Sequence, residues 1–354
     1  MAQESFPRRR AGHDAFSLPP SMNERCRSIN LSNADNRKSV LRSLLESLPV
    51  EITNLLSQDP QRAMPALARH PAAATLIESY VASLPTHHDL RVGDARALAS
   101  IAPNSVHLVL TSPPYWTLKQ YPDREGQLGG VEAYEDFVRF LGEVWAENMR
   151  VLVPGGRLII VVGDVCLSRR AHGRHRVVPL HASIQESCRL IGFDNLAPII
   201  WHKIANAKYE AGHGSGFLGK PYEPNAVIKN DIEYILFQRK PGGYRSPSIE
   251  ERVLSVIPAH RYQEWFQQVW SIPGASTRDH PAPFPLELAE RLVRMFSFVG
   301  DVVLDPFMGT GTTNLAAGKW GRNSVGIDIE PAYVDMARAR LKRELRPMLD
   351  FSHR

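Results

Sequence analysis

The chain has 354 residues, of which 43% are hydrophobic and 22% are charged, so it is long enough for a globular protein with a sizeable core. Its formal net charge of +5 permits a polyanionic partner without requiring one. Three widely spaced cysteines exclude a disulfide framework and a cysteine-rich zinc site, and no apolar run approaches the roughly 20 residues of a membrane span. We therefore expect a cytoplasmic protein without a metal centre.

The N-terminal part differs in character from the rest of the chain. Residues 1–36 are polar and contain Pro19-Pro20, which predicts a disordered tail. Residues 37–85 are expected to form a helical extension, because apolar residues recur there at helical spacing and prolines separate the segments. This extension is interpreted as a helical cap or a contact in a homodimer.

From residue 90 the pattern alternates between strands and helices, which predicts a doubly wound α/β sheet in a domain spanning residues 86–354. Strands are predicted at 90–92, 106–110, 157–162, 195–203, 232–238, 302–304 and 324–327. Helices are predicted at 134–149, 181–191, 285–297, 312–319 and 331–345. Pro154-Gly155-Gly156 is expected to end the first of these helices. A loop-rich insertion is expected at about 204–280, where binding loops tend to lie.

One motif combines a rigid turn with polar and aromatic groups. Thr111-Ser112-Pro113-Pro114-Tyr115-Trp116 directly follows the apolar run 106–110. Open α/β sheets bind ligands at the carboxyl ends of their strands. The two prolines fix the backbone and leave carbonyl oxygens as acceptors, beside a hydroxyl and an aromatic ring. Such a turn suits a flat base with an exocyclic amine.

A second motif suggests a nucleotide-like cofactor. Residues 301–313 read as a strand that runs into the glycine-rich turn Gly309-Thr310-Gly311 and then a helix. The next strand ends at Asp328, about 20 residues beyond the glycines, which is the usual position of an acid that binds ribose hydroxyls. A helix N-cap or a surface acid is the alternative interpretation of Asp328.

Together these motifs resemble the amino-group DNA methyltransferases that use S-adenosyl-L-methionine, in the permuted class whose catalytic motif precedes the cofactor motif. The resemblance spans roughly residues 88–342. It implies a Rossmann-like methyltransferase sheet, here with the N-terminal helical extension and an inserted recognition region. Within that family Ser-Pro-Pro-Tyr is more typical of enzymes that methylate N4 of cytosine, and Asp-Pro-Pro-Tyr of N6-adenine enzymes.

The resemblance implies a role for each motif residue. In the catalytic turn, Ser112 and the Pro113 carbonyl would accept hydrogen bonds from the amine, while Pro114 shapes the turn and Tyr115 stacks on the base. For the cofactor, the resemblance implies a binding site formed by Asp305, Phe307, Gly309, Thr310, Gly311, Thr312 and Asp328. Asp94 is a candidate to contact the adenine of the cofactor; alternatively, it only forms a turn. Phe284 is a candidate contact, or only a core aromatic.

Double-stranded DNA is the expected partner, with a cognate restriction endonuclease as a further possible one. Arg169, Arg170, Arg174 and Arg176 lie in a dense basic segment after a strand and could neutralise phosphates. Lys203 and Lys220 lie beside or within the expected insertion. A solvated charge run is the alternative for the arginines.

The sequence leaves several functions open and disfavours others. N6-adenine methylation is the main alternative to N4-cytosine methylation, because the same pocket serves either amine. A non-catalytic DNA-binding module of the same fold, or methylation of RNA or protein, is a further alternative. Methylation at cytosine C5 needs a cysteine nucleophile in a catalytic loop, which is missing. A phosphate-binding P-loop is excluded because no glycine-lysine pair precedes serine or threonine.

Overall fold

The computed structural model describes residues 44–118, 121–122, 124–203, 230–275 and 284–345. The predicted tail (1–36) and Lys220 lie outside these residues. In the described part of the chain no helix is long and apolar enough to cross a membrane.

An eight-stranded sheet forms the centre of the protein. Its strands are β1 (His88–Val92), β2 (Val106–Thr111), β3 (Leu152–Val162), β6 (Asp194–His202), β7 (Ile232–Arg239), β8 (Val269–Ser271), β9 (Val302–Asp305) and β10 (Asn323–Asp328), in the order β1-β10-β9-β2-β3-β7-β6-β8. The first five in this order run parallel, and β7 alone is antiparallel to its neighbours. We call the edge where β1, β2, β3, β9 and β10 end the carboxyl edge. All seven predicted strands are present.

Helices cover both faces of the sheet, and a further group of helices precedes β1 in the chain. The first three are α1 (Val50–Gln58), α2 (Pro60–Ala68) and α3 (Pro71–Val81). They are followed by α4 (Tyr134–Val151), α5 (Arg169–His172), α6 (Leu180–Ile191), α7 (Ile249–Leu254), α8 (Ala259–Trp265), α9 (Leu286–Phe296), α10 (Thr312–Lys319) and α11 (Pro331–Glu344). The two strands β4 (Val165–Leu167) and β5 (Arg176–Val178) form a separate hairpin.

The central strands are buried on both faces, as their continuous apolar sequences require. On β3, Leu158, Ile160 and Val162 join the core beneath α4 and α6. Ile159 and Val161 point the other way, into the core beneath α9 and α10. This alternation, with helices on both sides, confirms the predicted doubly wound α/β fold.

The helical extension packs on the domain through a core of its own. Leu44, Leu48 and Ile77 are buried there against Val253 of α7 and Val299. The described part of the extension is therefore helical, as expected.

Two sequence predictions about the sheet were wrong. Pro154-Gly155-Gly156 does not form the helix stop, because α4 already ends at Val151 and these residues lie inside β3. There they coincide with an irregular register between β2 and β3, and Gly155 supplies a φ of 77°. The expected insertion at 204–280 was also too long: β7 is an integral strand of the sheet, and α7, α8 and β8 follow it.

Candidate active site

The two sequence motifs lie side by side in the sheet. β2 and β9 are parallel neighbours, with Leu108 opposite Val303. The chain turns to opposite sides from these two strands, which is the arrangement that opens a ligand crevice at the carboxyl ends. The hydroxyl of Thr111, at the end of β2, donates a 2.7 Å hydrogen bond to Asp305, at the end of β9.

A cleft at the carboxyl edge is lined by residues of both motifs. Ser112 and Pro114 come from the catalytic turn, and Phe307 and Asp328 from the cofactor side. Its enclosed volume is about 50 Å³, whereas small-molecule sites span roughly 300–1,000 Å³. Gly126, Gln127 and Leu128 also line it.

Among the residues that the structure describes, Asp328 is one of the two acidic residues that line the cleft. Its two carboxylate oxygens accept hydrogen bonds from the backbone N–H groups of Gly309 (2.8 Å) and Glu330 (2.9 Å). Burial nevertheless raises the pKa of Asp328 above its usual value. The carboxylate is thus held rigidly and keeps lone pairs for hydroxyl donors, which agrees with the predicted ribose contact more closely than with a surface acid.

Asp94 also lines the cleft and forms the turn that was its alternative role. Its carboxylate accepts from the backbone N–H of Arg96 at 2.8 Å and pairs with the Arg96 guanidinium at 2.6 Å. Hydrogen bonds from Arg96 lower the pKa of Asp94 in spite of its partial burial.

Asp305 lies beneath the cleft and does not line it. Its side chain is 1% exposed and accepts hydrogen bonds from the Thr111 hydroxyl and from the Phe307 N–H. Burial raises its pKa to about 6. In this structure Asp305 therefore joins the two motif turns, whereas the sequence predicted contact with the cofactor.

The glycine-rich turn supports the cleft from outside. Gly309 holds Asp328, and Gly311 begins α10 with a φ of 76°, so close to α11 that a Cβ would lie 2.9 Å from Ala337. Arg340 donates to the Thr312 hydroxyl and to the Thr310 carbonyl. None of these four residues, Gly309 to Thr312, lines the cleft directly. Phe284 is a core aromatic on the other face, which was its alternative role.

Comparison with known proteins identifies the family. Residues 106–339 match the N6/N4 methyltransferase family model that is described as DNA methylase. The chain belongs to the N6/N4 DNA methylase family. The type II methyltransferase M.MjaI of Methanocaldococcus jannaschii is 39% identical over 275 residues, which cover 69% of this chain and 88% of the relative. The DNA adenine methyltransferase YhdJ of Escherichia coli K12 is 30% identical, with 70% and 81% covered.

Solved structures give the same result for the fold. TTHA0409 of Thermus thermophilus, solved in complex with S-adenosyl-L-methionine, is 55% identical to the methylase with a TM-score of 0.62. The match covers 74% of this chain and 97% of that one. The cytosine-N4-specific PvuII DNA methyltransferase has the same fold at 18% identity and a TM-score of 0.53, with 76% and 98% covered.

The catalytic turn of the methylase is held from several sides. Pro113 is buried, and the Trp116 indole donates to the Val131 carbonyl at 2.9 Å. The Tyr115 side chain was expected to stack on a base, but it is 8% exposed and its hydroxyl hydrogen-bonds to Glu233 at 3.0 Å. Its ring lies next to Gly163 at the end of β3, where a Cβ would be 3.4 Å from Cε2.

Glu233 is a buried acid beside Tyr115 that the sequence interpretation did not single out. It is 8% exposed at the amino end of β7, and since β7 is antiparallel this end lies at the carboxyl edge of the sheet. Lys203, which was predicted to contact DNA, forms an ion pair with Glu233 and lies 4.7 Å from the Trp201 ring. Lys203 therefore lies within reach of Tyr115 through Glu233 and is paired within the protein.

The predicted phosphate contacts lie on a basic hairpin, residues 165–178, which comprises β4, α5 and β5. It follows β3 at the carboxyl edge, as expected. Arg169, Arg170, Arg174 and Arg176 are all exposed on it. The segment contains the short helix α5, whose N-cap Ser168 accepts from the Ala171 N–H at 3.3 Å. Its position beside the catalytic turn is compatible with a contact to the DNA backbone.

A larger cavity, of about 830 Å³, lies at the opposite edge of the methylase sheet. Gly155 and Arg157 of β3 and Met64 of α2 are among its lining residues. It contains none of the predicted site residues, so volume alone would locate the wrong site.

Proposed function

We propose that this DNA methylase transfers a methyl group from S-adenosyl-L-methionine to the N4 amine of cytosine within a specific sequence of duplex DNA. The observation that carries the proposal is that Ser112, a neutral hydrogen-bond acceptor, lines the same cleft as Asp328 and Phe307. In the permuted family that this chain resembles, serine at this position is more typical of N4-cytosine enzymes than of N6-adenine enzymes.

The residues of the cleft fit the cofactor. Asp328 offers carboxylate oxygens to hydroxyl groups, and Phe307, Ile329 and Tyr333 offer apolar surface beside it. When bound, S-adenosyl-L-methionine supplies a methyl group activated by a positive sulfur. The Thermus thermophilus relative, solved with this cofactor, is 55% identical over most of its length.

The protein's own contribution is position and hydrogen bonding. The amine of cytosine is a poor nucleophile because its lone pair is delocalised into the ring, so accurate placement provides much of the rate enhancement. Ser112 and the Pro113 carbonyl accept hydrogen bonds from the N–H groups as the nitrogen becomes tetrahedral. The target base must leave the helix to reach the cleft, which costs a few kcal/mol of stacking.

The basic hairpin would hold the DNA backbone during this step. The proposal places the enzyme in the cytoplasm, where such a substrate is found. Relatives named as type II methyltransferases support a role in restriction and modification, with a cognate endonuclease acting on the same site. A homodimer joined through the helical extension is also part of the proposal.

Adenine N6 is the second candidate, because a relative 30% identical over 264 residues is named as a DNA adenine methyltransferase. To decide, the chain is expressed in a host without DNA methylation, and the DNA is hydrolysed and analysed by mass spectrometry. N4-methylcytosine is the expected product, and single-molecule sequencing then gives its sequence context. N6-methyladenine would overturn the assignment of the base.

Two variants test the site in the same host. Ser112→Ala should abolish most of the modification. Ser105→Ala, a matched control just before β2 whose exposed hydroxyl only bonds to the Ala102 carbonyl at 2.6 Å, should leave it unchanged. Equal modification by both variants would contradict the role of Ser112.

A further inference from the structure

A chain of four side chains leads from Ser112 through two buried residues to the half-buried Lys203. The Ser112 hydroxyl lies 3.3 Å from the Tyr115 hydroxyl, which lies 3.0 Å from Oε2 of Glu233. The other oxygen of Glu233 binds the ammonium of Lys203. The chain thus connects the ends of β2 and β6 with the beginning of β7.

The chemistry of its members fixes the direction of the hydrogen bonds. A carboxylate paired with an ammonium accepts hydrogen bonds, so both oxygens of Glu233 act as acceptors, one from Tyr115 and one from Lys203. Tyr115 has a single O–H, and burial together with the charge of Glu233 raises its pKa far above the usual value, so it keeps its proton. That proton points to Glu233, at 3.0 Å, in preference to the Val161 carbonyl, at 3.5 Å. The tyrosine oxygen is then free to accept, and Ser112 donates its own hydrogen to it.

We infer that Glu233 is a positioning residue that commits Ser112 to act as a hydrogen-bond acceptor. A serine hydroxyl can either donate or accept, but an exocyclic amine presents N–H donors. With its hydrogen directed to Tyr115, Ser112 turns its lone pairs toward the cleft that it lines. The inference rests on the proposed function, since it assigns to Ser112 an amine as its partner.

Glu233→Gln is the variant that separates this role from simple packing. Glutamine has the same size but carries an NH₂ group that can donate to Tyr115. The Tyr115 proton would then turn to Ser112, at 3.3 Å, or to the Val161 carbonyl, at 3.5 Å, and in the first case Ser112 would present its own hydrogen to the amine. We expect kcat for methylation of unmethylated duplex DNA to fall by about ten- to a hundredfold, less than for removal of a direct transition-state contact. The melting temperature and the Kd for S-adenosyl-L-methionine should remain close to those of the wild type.

The matched control is Asp231→Asn, close by at the amino end of β7. Asp231 is partly exposed and pairs with His202 at 3.3 Å, outside the four-membered chain. Asp231→Asn removes one negative charge, as Glu233→Gln does, at nearly the same place. The kcat of this control should stay within about twofold of the wild type, as for an ordinary surface change.

A double-mutant cycle tests whether Glu233 acts through Tyr115. Tyr115→Phe keeps the ring and removes the hydroxyl, so kcat should fall and Glu233→Gln should have no further effect in that background. Additive losses would overturn the inference, as would a wild-type kcat in a folded Glu233→Gln variant. If Glu233→Gln does not fold, a wild-type kcat for Tyr115→Phe overturns it instead.

The methylated base of the wild type is measured in the same assay. N6-methyladenine would refute the proposed base but leave the cycle valid, because adenine also presents an amine. N4-methylcytosine together with an unaffected Glu233→Gln variant would refute only the inference.

Discussion

The hydroxyl of Thr111 donates a hydrogen bond to the carboxylate of Asp305, 194 residues away in the sequence. The bond joins the last residue of β2 to the last residue of β9, so each motif helps to hold the other. Ser112 follows directly on one side, and Phe307 hydrogen-bonds to Asp305 on the other. The geometry of the cleft therefore depends on a contact between two residues that do not line it.

Removing this contact should weaken both the fold and the site. Thr111→Val has nearly the same shape but leaves a buried carboxylate with one donor fewer, which should cost about 1–3 kcal/mol in the free energy of unfolding. Urea denaturation measures it. Thr117→Val, at an exposed position in the same loop, should stay within about 0.5 kcal/mol. If the two variants are equally stable, the hydrogen bond from Thr111 to Asp305 does not contribute to the free energy of unfolding.

Asp305 should also leave a signature in the pH dependence of stability. Its pKa is raised by burial to about 6, from 3.8 in the unfolded chain, so the folded protein holds the proton more tightly. The contribution of Asp305 to the free energy of unfolding should then decrease as the pH rises from about 4 to about 6, by about 3 kcal/mol in all. Asp305→Asn retains an oxygen acceptor and removes the titration. The stability difference, variant minus wild type, should therefore grow across this window, whereas parallel curves would contradict the assignment.

Asp328 is expected to carry much of the affinity for the cofactor. Asp328→Asn replaces charge-assisted hydrogen bonds by neutral ones and should weaken the binding of S-adenosyl-L-methionine by about 1.5–3 kcal/mol, measured by calorimetry. The control Asp335→Asn lies on α11 with a largely exposed side chain. Its Kd should match that of the wild type. The melting temperature of each variant shows whether a change in Kd reflects weaker hydrogen bonding to the cofactor or a loosened fold.

The basic hairpin should bind DNA without reading its sequence. Replacing its four arginines by glutamine should lower the slope of log K against log salt by up to about 0.9 for each phosphate that is no longer neutralised. The methylated sequence should stay the same, because phosphate contacts position DNA and do not specify bases. A control set of four exposed basic residues on helices, Arg139, Arg189, Lys342 and Arg343, removes the same charge. A similar decrease of the slope in both sets would mean that only net charge matters.

Much of the fold could be predicted because its signals are local. Continuous apolar runs that end at Ser112 or at the glycine turn define strands by composition and length alone. The small helix α7 could also have been found, since Ser248 and Glu251 form a capping box with a recognisable spacing. Pro154-Gly155 misled the interpretation because the same residues serve a helix end and an irregular strand.

The rest depends on tertiary structure. Glu233 stands at the start of a predicted strand and carries no local sign of a site. Only the antiparallel direction of β7 places it beside Tyr115. The ion pair of Lys203 could not be predicted for the same reason, because its partner lies on another strand and its sequence neighbours are compatible with an exposed cation.

The antiparallel direction of β7 brings the end of β6 next to the beginning of β7. The chain leaves the sheet after Lys203 and rejoins it at Asp231, where the Lys203 N–H donates to the Asp231 carbonyl at 2.9 Å. The two ends of the connection are thus held together by this backbone hydrogen bond. The number of residues between Lys203 and Asp231 therefore does not change the distance that the sheet must span.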